Sequence, residues 1–232
     1  MAWVDGLKQT PCPLCSSPSS RGFGSCFFCG VEGEGYKCIN GHFTCLTCLE
    51  TKSPEEALIR ICMLKPSRDL VELADRCMLH PSIPMHGPEH HYLTSCVVLG
   101  WLKALGLRVT EGMMRAAVKR SIVVPGGSCG SMGLCGAPVG VGAALAVILK
   151  STPLKPKERT TCINAVRMGL ELVEEIDGVR CCKASTYSAL MVASKVVKQV
   201  LGVGEVLSSV RCSFSNKNPD CLGSKCPFHP KQ

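Results

Sequence analysis

Residues 126–149 read GGSCGSMGLCGAPVGVGAALAVIL, a glycine-rich stretch with two cysteines that runs into an uninterrupted apolar segment. The apolar segment, Gly136 to Leu149, has 14 residues, fewer than the ~18 needed to span a bilayer. It predicts a helix over 137–150 that is buried inside a protein core, and it argues against a membrane protein. The glycine-rich part, Pro125 to Gly136, predicts the loop that leads into this helix.

Helix signals flank this buried segment on both sides. Ser53, Ser67 and Thr110 are predicted N-caps, and Gly106 is a predicted stop. The predicted helices span 53–65, 67–79, 90–105, 111–122, 137–150, 156–176 and 180–201. Three prolines make 80–88 a rigid loop. The pattern predicts a mainly α protein, with a helical domain of about six or seven helices over 53–206 and a cysteine-containing tail over 207–232.

Cysteine use sets the chain apart, because 18 of 232 residues are cysteine whereas aromatic residues make up only 5%. With 46% hydrophobic and 19% charged residues, the chain can bury a core and is not generally disordered. Its first residues, Met1-Ala-Trp-Val-Asp5-Gly6, lack the charged start and apolar centre of a secretory signal. We therefore expect a cytoplasmic protein whose reduced thiols serve metal binding or redox chemistry rather than disulfide bracing.

The charge balance points to no single partner. Lysine and arginine number 26 and the acidic residues 18, which gives a formal net charge of +8, but no basic run or basic–aromatic stripe is present. Binding to RNA is compatible with this balance and is not favoured. We expect a small-molecule or sulfur-carrying substrate, or a redox partner protein. The small-residue helix over 136–149 would also suit packing against a second copy, as in a homodimer.

Residues 1–50 predict a small zinc-binding module of hairpins and cysteine knuckles. Eight ligands occur as CxxC-type pairs with one histidine among them: Cys12, Cys15, Cys26, Cys29, Cys38, His42, Cys45 and Cys48. A CxxC turn places two thiolates on one side of a metal, and two pairs complete a tetrahedron, so eight ligands match two zinc ions. Redox or cluster use is the alternative, although no strand–CxxC–helix pattern surrounds these pairs.

The end of this module, Cys38-x3-His42-x2-Cys45-x2-Cys48, resembles the His-x2-Cys-x2-Cys half of a RING-type cross-brace. It differs in the Cys38–His42 spacing, which is three residues instead of one, and in having no final CxxC pair. We therefore expect a pair of zinc ribbons or knuckles without ubiquitin-ligase activity. Such modules usually position a partner or a substrate.

The glycine-rich loop and the start of the last helix predict a cofactor or redox site. Its candidate residues are Cys129, Cys135, Cys181, Cys182, Gly130, Gly133 and Gly136. Glycines allow close backbone approach to a cofactor, and a helix N-terminus favours the thiolate form of a cysteine. Four thiols are the normal ligand set of an iron–sulfur cluster. Adjacent cysteines cannot easily bind one iron, so Cys182 is also a candidate nucleophile or persulfide carrier. Dithiol redox chemistry and plain packing of buried thiols are the alternatives.

This arrangement resembles the small helical C-GCAxxG-C-C family, thought to be a redox-type domain, over roughly residues 95–194. Cys129-Gly-Ser-Met-Gly133 stands where that family has Gly-Cys-Ala-x-x-Gly, and the pair Cys181-Cys182 follows later. More broadly, the chain resembles an uncharacterised cysteine-rich domain family of anaerobic archaea and bacteria. That resemblance implies an anaerobe's metalloprotein and no particular reaction.

Two further polar clusters complete the candidate site. Four of the six histidines fall between residues 80 and 91, and His86, His90 and His91 are candidates for proton transfer. The alternative is a set of solvent-exposed imidazoles at the start of a helix. In the tail, three thiols predict a third metal site, with or without His229, and either alone or shared with the middle cysteines. These thiols are Cys212, Cys221 and Cys226.

A flexible, reduced tail is the alternative there, and the single cysteines at 62, 77, 96 and 162 are expected to pack in the core. The sequence as a whole predicts an iron–sulfur- or thiol-dependent enzyme of redox or sulfur-transfer chemistry. A non-catalytic, zinc-stabilised adaptor or a metal-trafficking protein is the alternative function.

Overall fold

The computed structural model describes residues 10–230, and the chain start, where no secretory signal is expected, lies outside this part. Four short antiparallel strands come first, in the order β1-β2-β3-β4. They are β1 (Thr10–Pro11), β2 (Pro18–Ser25), β3 (Glu32–Cys38) and β4 (Phe43–Cys45), and a short helix, α1 (Leu46–Glu50), follows. These hairpins are the expected form of the cysteine-rich module.

Strands β3 and β4 approach each other closely at Gly35. A Cβ at this position would lie 2.1 Å from the carbonyl oxygen of Thr44, so only glycine fits. Next to this pairing, the backbone N–H of Phe27 donates to Phe43 O at 2.8 Å. Together these contacts bring Cys45 and the start of α1 against the β2–β3 turn.

Eight further helices lie within the described residues. They are α2 (Pro54–Leu64), α3 (Leu70–Met78), α4 (Glu89–Ala104), α5 (Glu111–Ser121), α6 (Ser128–Ser131), α7 (Gly136–Ile148), α8 (Pro156–Glu174) and α9 (Cys182–Leu201). A 3-10 turn at Gly223–Lys225 lies in the tail. The predicted mainly α class is confirmed, and α6 is an extra short helix inside the predicted glycine-rich loop. No helix in this part of the chain combines the length and the apolar character needed to cross a membrane.

The helix starts follow their capping residues. Ser53 accepts from the backbone N–H of Glu56, and Thr110 accepts from that of Met113, so these two predicted N-caps are confirmed. The predicted cap Ser67 is wrong, because α3 begins at Leu70 and the carboxylate of Asp69 accepts from two backbone N–H groups. Ser67 instead accepts from the N–H of Asp69 at 3.1 Å. The ionised acceptor satisfies two unpaired helix donors at once.

Helices α4 and α7 pack against each other at the centre of the domain, and residues 90–102 of α4 are buried. A Cβ at Gly140 of α7 would lie 2.0 Å from the carbonyl oxygen of His91. The hydroxyl of Thr94 donates to Ala137 O at 2.8 Å. Ala137 and Gly140, two of the small residues that were expected to suit packing against a second copy of the chain, therefore pack against α4 of the same chain.

The hydrophobic core continues from the helices into the N-terminal module. Phe28 is fully buried, and its ring centroid lies 4.9 Å from that of His80. The ammonium of Lys65, the C-cap residue of α2, donates to Phe27 O at 2.9 Å. Three of the single cysteines lie in this core as expected, and Cys162 is half-buried on α8. The three are Cys62, Cys77 and Cys96.

The tail packs against the helices through side chains rather than through regular structure. Three apolar side chains are buried there: Val210, Phe214 and Phe228. The hydroxyls of Tyr187 and Ser213 each donate to the carboxylate of Asp75 at 2.6 Å. The ammonium of Lys217 donates to Leu14 O at 3.2 Å, so the tail also contacts the first cysteine turn.

Candidate functional site

The first metal-ligand group consists of Cys12, Cys15, Cys38 and His42, whose ligand atoms all lie within 4.8 Å of one another. The sulfurs of Cys15 and Cys38 are 3.8 Å apart, and Cys38 Sγ lies 3.5 Å from His42 Nδ1. The turn between β1 and β2 supplies two of the ligands, and the turn between β3 and β4 supplies the other two. The group can hold one metal ion.

The second group consists of Cys26, Cys29, Cys45 and Cys48, and all four side chains are buried. The sulfurs of Cys29 and Cys45 are 3.8 Å apart, and the backbone N–H of Cys45 donates to Cys26 Sγ at 3.5 Å. Its ligands come from the β2–β3 turn and from the start of α1. All eight predicted ligands are thus divided into two groups that can each bind a metal.

The two groups are interleaved along the chain, because the first ligand pair joins the third and the second joins the fourth. This is a cross-braced order, and the predicted knuckles at Cys12–Cys15 and Cys26–Cys29 therefore belong to different groups. The β2–β3 hairpin is the reason. It carries the Cys26–Cys29 turn at its tip, while Cys15 and Cys38 flank its base.

Hydrogen bonds favour the thiolate of one cysteine in each group. Those from Ser17 and Asn40 lower the pKa of Cys15 to about 5. In the second group, hydrogen bonds from the Cys26 and Cys48 thiols lower the pKa of Cys29. Burial raises the pKa of Cys45 in the same group, and a divalent cation bound there would displace the proton of that thiol.

A cavity of about 320 Å³ lies between the glycine-rich loop, the end of α8 and the start of α9. All four cysteines predicted for the middle site line it: Cys129, Cys135, Cys181 and Cys182. His91 and Arg180 are also part of its wall. Segments that are far apart in the sequence therefore bring thiols, an imidazole and a guanidinium to one place.

Two thiols of this cavity, those of Cys135 and Cys182, are held mainly in their neutral form. Cys135 is the N-cap of α7, and Cys182 is the first residue of α9. Such positions predict a favoured thiolate, but burial raises the pKa of both thiols. Desolvation outweighs the helix N-terminus because both side chains are largely enclosed. A base is therefore needed to ionise them at neutral pH.

His91 is the histidine that lines this cavity. Its Nδ1 donates to Val124 O at 3.0 Å, which leaves Nε2 as the unprotonated nitrogen. Burial lowers the pKa of His91, so the imidazole is neutral at pH 7. It can therefore accept a proton at Nε2 from a group in the cavity.

The other two candidates for proton transfer, His86 and His90, are not among the residues that line this cavity. His86 Nε2 lies 2.9 Å from Asn218 Oδ1, and its Nδ1 accepts from the backbone N–H of Cys182 at 3.4 Å. His86 thus joins the tail to the start of α9. His90 Nε2 lies 3.0 Å from the ammonium of the buried Lys183. The two imidazoles hold structural elements together instead of facing the cavity thiols.

The three predicted cofactor glycines have different surroundings. Gly130 lines the cavity, and no atom lies within 4 Å of an added Cβ there. Gly133 has a φ of +62° and reverses the loop. Gly136 packs against an imidazole instead, since an added Cβ would lie 2.2 Å from His91 Cγ. Its small size lets α7 approach His91.

The tail cysteines share a cavity with one of the four middle cysteines, Cys181. A second, smaller cavity is lined by Cys181, Cys212, Cys221 and Cys226, and its wall also includes His229. Cys181 therefore borders both cavities, whereas its neighbour Cys182 borders the larger one. Of the two arrangements expected for the tail thiols, the geometry supports the shared one, with a single shared residue.

Two charged residues near the cysteine groups, Lys183 and Arg60, were not predicted. Lys183 is 1% exposed, and its ammonium lies 4.7 Å from the ring centroid of Phe214. Burial lowers the pKa of Lys183 to about 8. Near the second metal group, Nε of Arg60 is buried and has no hydrogen-bond partner among the described residues. A lysine directly after paired cysteines in an apolar helix is the one signal that the sequence offers for either residue.

A family model, described as a family of unknown function (DUF5714), matches residues 58–229. The match takes in both cavities and the tail thiols, and it begins after the ligands of the two N-terminal groups. No curated protein and no solved structure matches the chain.

Proposed function

The chain belongs to the DUF5714 family of unknown function, and from its own side chains we propose that it is a metal-stabilised thiol enzyme acting on a sulfur-carrying substrate. Two zinc ions stabilise the N-terminal module, and the thiols of the larger cavity carry out redox or sulfur-transfer chemistry. The observation that carries this proposal is the presence of Cys135, Cys182 and His91 in the wall of one cavity.

The ligand distances support zinc in the N-terminal module. Zinc binds thiolate at about 2.3 Å and imidazole at about 2.0–2.1 Å, so a tetrahedral ion sets its ligand sulfurs about 3.8 Å apart. The separations of 3.8 Å in both groups, and of 3.5 Å between Cys38 Sγ and His42 Nδ1, fit this geometry. The guanidinium of the half-buried Arg60, which hydrogen-bonds to Cys29, would balance the net negative charge of a zinc ion with four thiolates.

Thiol–disulfide exchange is the reaction that the larger cavity suits. His91 takes the proton of Cys182, and the resulting thiolate attacks one sulfur of a substrate disulfide. The S–S bond breaks, and the departing thiolate takes the proton from His91 and leaves as the first thiol. Cys135, once deprotonated, attacks the Cys182 sulfur of the mixed disulfide and releases the second thiol. Two cysteines lose two electrons and two protons, and the substrate gains both. A dithiol reductant returns the enzyme to its starting state, as the reducing cytoplasm does in the expected location.

The cavity wall favours a small substrate over RNA. Among its lining residues Arg180 is the one charged side chain, whereas a nucleic-acid site needs several cations along a surface. A single guanidinium suits one carboxylate or phosphate on a small disulfide or persulfide. The resemblance of this region to the C-GCAxxG-C-C family also favours redox chemistry.

Oxidised glutathione is a suitable probe of the proposed reaction. Reduced, zinc-loaded protein should release two glutathione thiols per chain and form a Cys135–Cys182 disulfide that peptide mass spectrometry identifies. Cys182→Ser should abolish this disulfide. Cys162→Ser, which changes a half-buried thiol on α8 outside the cavity, should react as the wild type does.

Two results would contradict the proposal. One is the absence of a Cys135–Cys182 disulfide in wild-type protein, and the other is glutathione release by Cys182→Ser at the wild-type rate. Either would favour the alternative function, a zinc-stabilised adaptor or metal-trafficking protein without catalysis.

A further inference from the structure

Three tail thiols and the first of the paired cysteines surround the smaller cavity. The backbone N–H of Cys212 donates to Phe228 O at 2.7 Å, which sets the two arms of the tail side by side. The 3-10 turn at Gly223–Lys225 then brings Cys226 back toward Cys221. The folded tail thus places its three sulfurs opposite Cys181, which precedes α9.

The spacing of these four sulfurs differs from that of the N-terminal groups. Among the residues the structure describes, two groups of metal-binding atoms lie within 4.8 Å of one another, and both are in the N-terminal module. No three of the four sulfurs around the smaller cavity are therefore that close. A single ion draws its ligands closer than this, whereas the irons and sulfides of a cluster hold the ligand sulfurs apart.

The tail can adjust to a bound group because its ligands lie on loops and one short turn. The enclosed space is small, about 10 Å³. A cluster therefore requires the loops to move outward, and a single ion requires them to move inward. The sulfurs already stand wider apart than zinc ligands do, which favours the outward movement.

A buried positive charge also lies near these sulfurs. The ammonium of Lys183 contacts neutral partners: Pro84 O at 3.4 Å, His90 Nε2 at 3.0 Å and the ring of Phe214. A buried ammonium is stabilised by negative groups nearby, and its charge interacts with the carboxylate of Asp75 and with the sulfurs of Cys181 and Cys212. Four thiolates around an iron–sulfur core carry a net negative charge, and Lys183 follows two residues after Cys181.

Two N–H groups are already directed at these sulfurs. The amide of Asn218 donates to Cys181 Sγ at 3.6 Å, and the backbone N–H of Phe214 donates to Cys212 Sγ at 3.4 Å. Such hydrogen bonds stabilise thiolate ligands and set cluster potentials. His86 holds the Asn218 side chain in place through its Oδ1. In addition, Cys226 is followed by Pro227, as the last ligand is in ferredoxin-type runs.

We infer that Cys181, Cys212, Cys221 and Cys226 ligate a four-iron iron–sulfur cluster. This site is separate from the two N-terminal groups. Its position does not depend on the proposed thiol chemistry, but its relevance to catalysis rests on that proposed function. Because Cys181 and Cys182 are adjacent, the cluster lies one residue away from the proposed nucleophile.

Metal analysis after anaerobic reconstitution tests the assignment. The full chain, carrying its zinc, is incubated with ferrous iron and sulfide and then freed of excess reagent. Wild-type protein should retain about four irons and four sulfides per chain and absorb in the visible range. Cys212→Ser and Cys221→Ser should each lose at least about four-fifths of the iron, as expected when one of four ligands is removed. Both variants should keep the wild-type zinc content.

Cys129→Ser and Cys182→Ser are the matched controls, since both thiols lie in the larger cavity, and both should keep the iron. Uptake of a third zinc in place of iron by wild-type protein would overturn the inference. Wild-type iron content in both Cys212→Ser and Cys221→Ser would do so as well. Zinc content and circular dichroism identify a variant that fails to fold, and Cys181→Ser replaces it in the comparison.

The two proposals fail in different ways. Iron binding without a Cys135–Cys182 disulfide would leave the cluster in place and contradict the thiol enzyme. A Cys135–Cys182 disulfide in protein that binds no iron would contradict the cluster and leave the thiol enzyme in place.

Discussion

The ammonium of Lys183 lies 3.0 Å from Nε2 of His90, and both side chains are 1% exposed. His90 Nδ1 lies 3.2 Å from Gly87 O. A carbonyl can only accept, so Nδ1 carries the proton and Nε2 accepts from Lys183. Two basic groups therefore share one hydrogen bond inside the core, and this requires the imidazole to be neutral.

The pH dependence of stability should reveal this neutral imidazole. Burial and the charge of Lys183 lower the pKa of His90 well below its usual value. A lowered folded-state pKa gives stability that is present above the unfolded value of about 6.5 and is lost as the pH falls below it. His90→Gln, which keeps an acceptor for Lys183, should remove this loss. Urea unfolding between about pH 7 and pH 5 should give a slope smaller by up to about 1.4 kcal/mol per pH unit. Equal slopes in the two proteins would contradict a buried neutral His90.

Gly136→Ala should disturb both stability and thiol chemistry. The added methyl group would lie 2.2 Å from His91 Cγ, so the imidazole or α7 has to move. We expect a loss of about 1–3 kcal/mol in unfolding free energy, as in other overpacked cores. Disulfide formation with oxidised glutathione should slow about tenfold or more, because His91 is the proposed base. Gly130→Ala is the control, since no atom lies within 4 Å of its added Cβ. Similar effects of the two substitutions would argue against a specific His91 contact.

Loss of the buried metal group should destabilise the protein more than loss of the outer one. The sulfurs of the second group belong to the same hydrophobic core as the helices, whereas Cys15 in the first group is only half-buried. Cys48→Ser leaves three buried thiols without their metal partner, at a cost of about 3 kcal/mol or more. For a chain of this size the thermal midpoint should fall by about 10 °C. Cys15→Ser should lower it by less, and thermal unfolding with zinc analysis compares the two. A larger fall for Cys15→Ser would reverse this ranking.

Tyr187→Phe should loosen the tail without unfolding the helices. Its hydroxyl donates to Asp75, which also accepts from Ser213 of the tail. Burial raises the pKa of Asp75, and the two hydroxyls oppose that rise. Loss of one donor to a half-buried carboxylate costs about 1–3 kcal/mol. Hydrogen exchange over residues 210–228 should become faster in this variant. Tyr36→Phe on β3 is the control, and unchanged exchange in Tyr187→Phe would show that Asp75 does not hold the tail.

Local sequence signals predicted the elements whose cause is local. The caps Ser53 and Thr110 were predictable because a hydroxyl before a helix accepts from backbone groups only three residues away. The CxxC spacings likewise identified all eight ligands of the N-terminal groups. Their interleaved pairing was not predictable from spacing, since it depends on which ends of the β2–β3 hairpin lie next to β1 and α1.

Adjacent residues of the same type proved harder to assign. Successive residues of a helix point about 100° apart, so His90 and His91 cannot face the same cavity. One contacts Lys183 and the other borders the larger cavity. At the start of α9, Cys181 borders both cavities, whereas Cys182 borders the larger one. Tertiary packing decides what surrounds each member of such a pair. The local sequence pattern does not distinguish the two members.

The hydrogen bond from Lys217 to Leu14 O has a thermodynamic consequence for metal loading. Leu14 lies inside the turn that bears Cys12 and Cys15, so an ion in the first group orders the carbonyl that receives Lys217. Because this bond links the two segments, ordering of the metal-binding turn favours ordering of the tail. The effect of the tail on the turn is equally large, since the coupling is reciprocal. An exposed bond of this kind contributes about 1 kcal/mol, a several-fold change in affinity. Zinc at one end of the polypeptide and iron at the other would therefore bind with positive cooperativity.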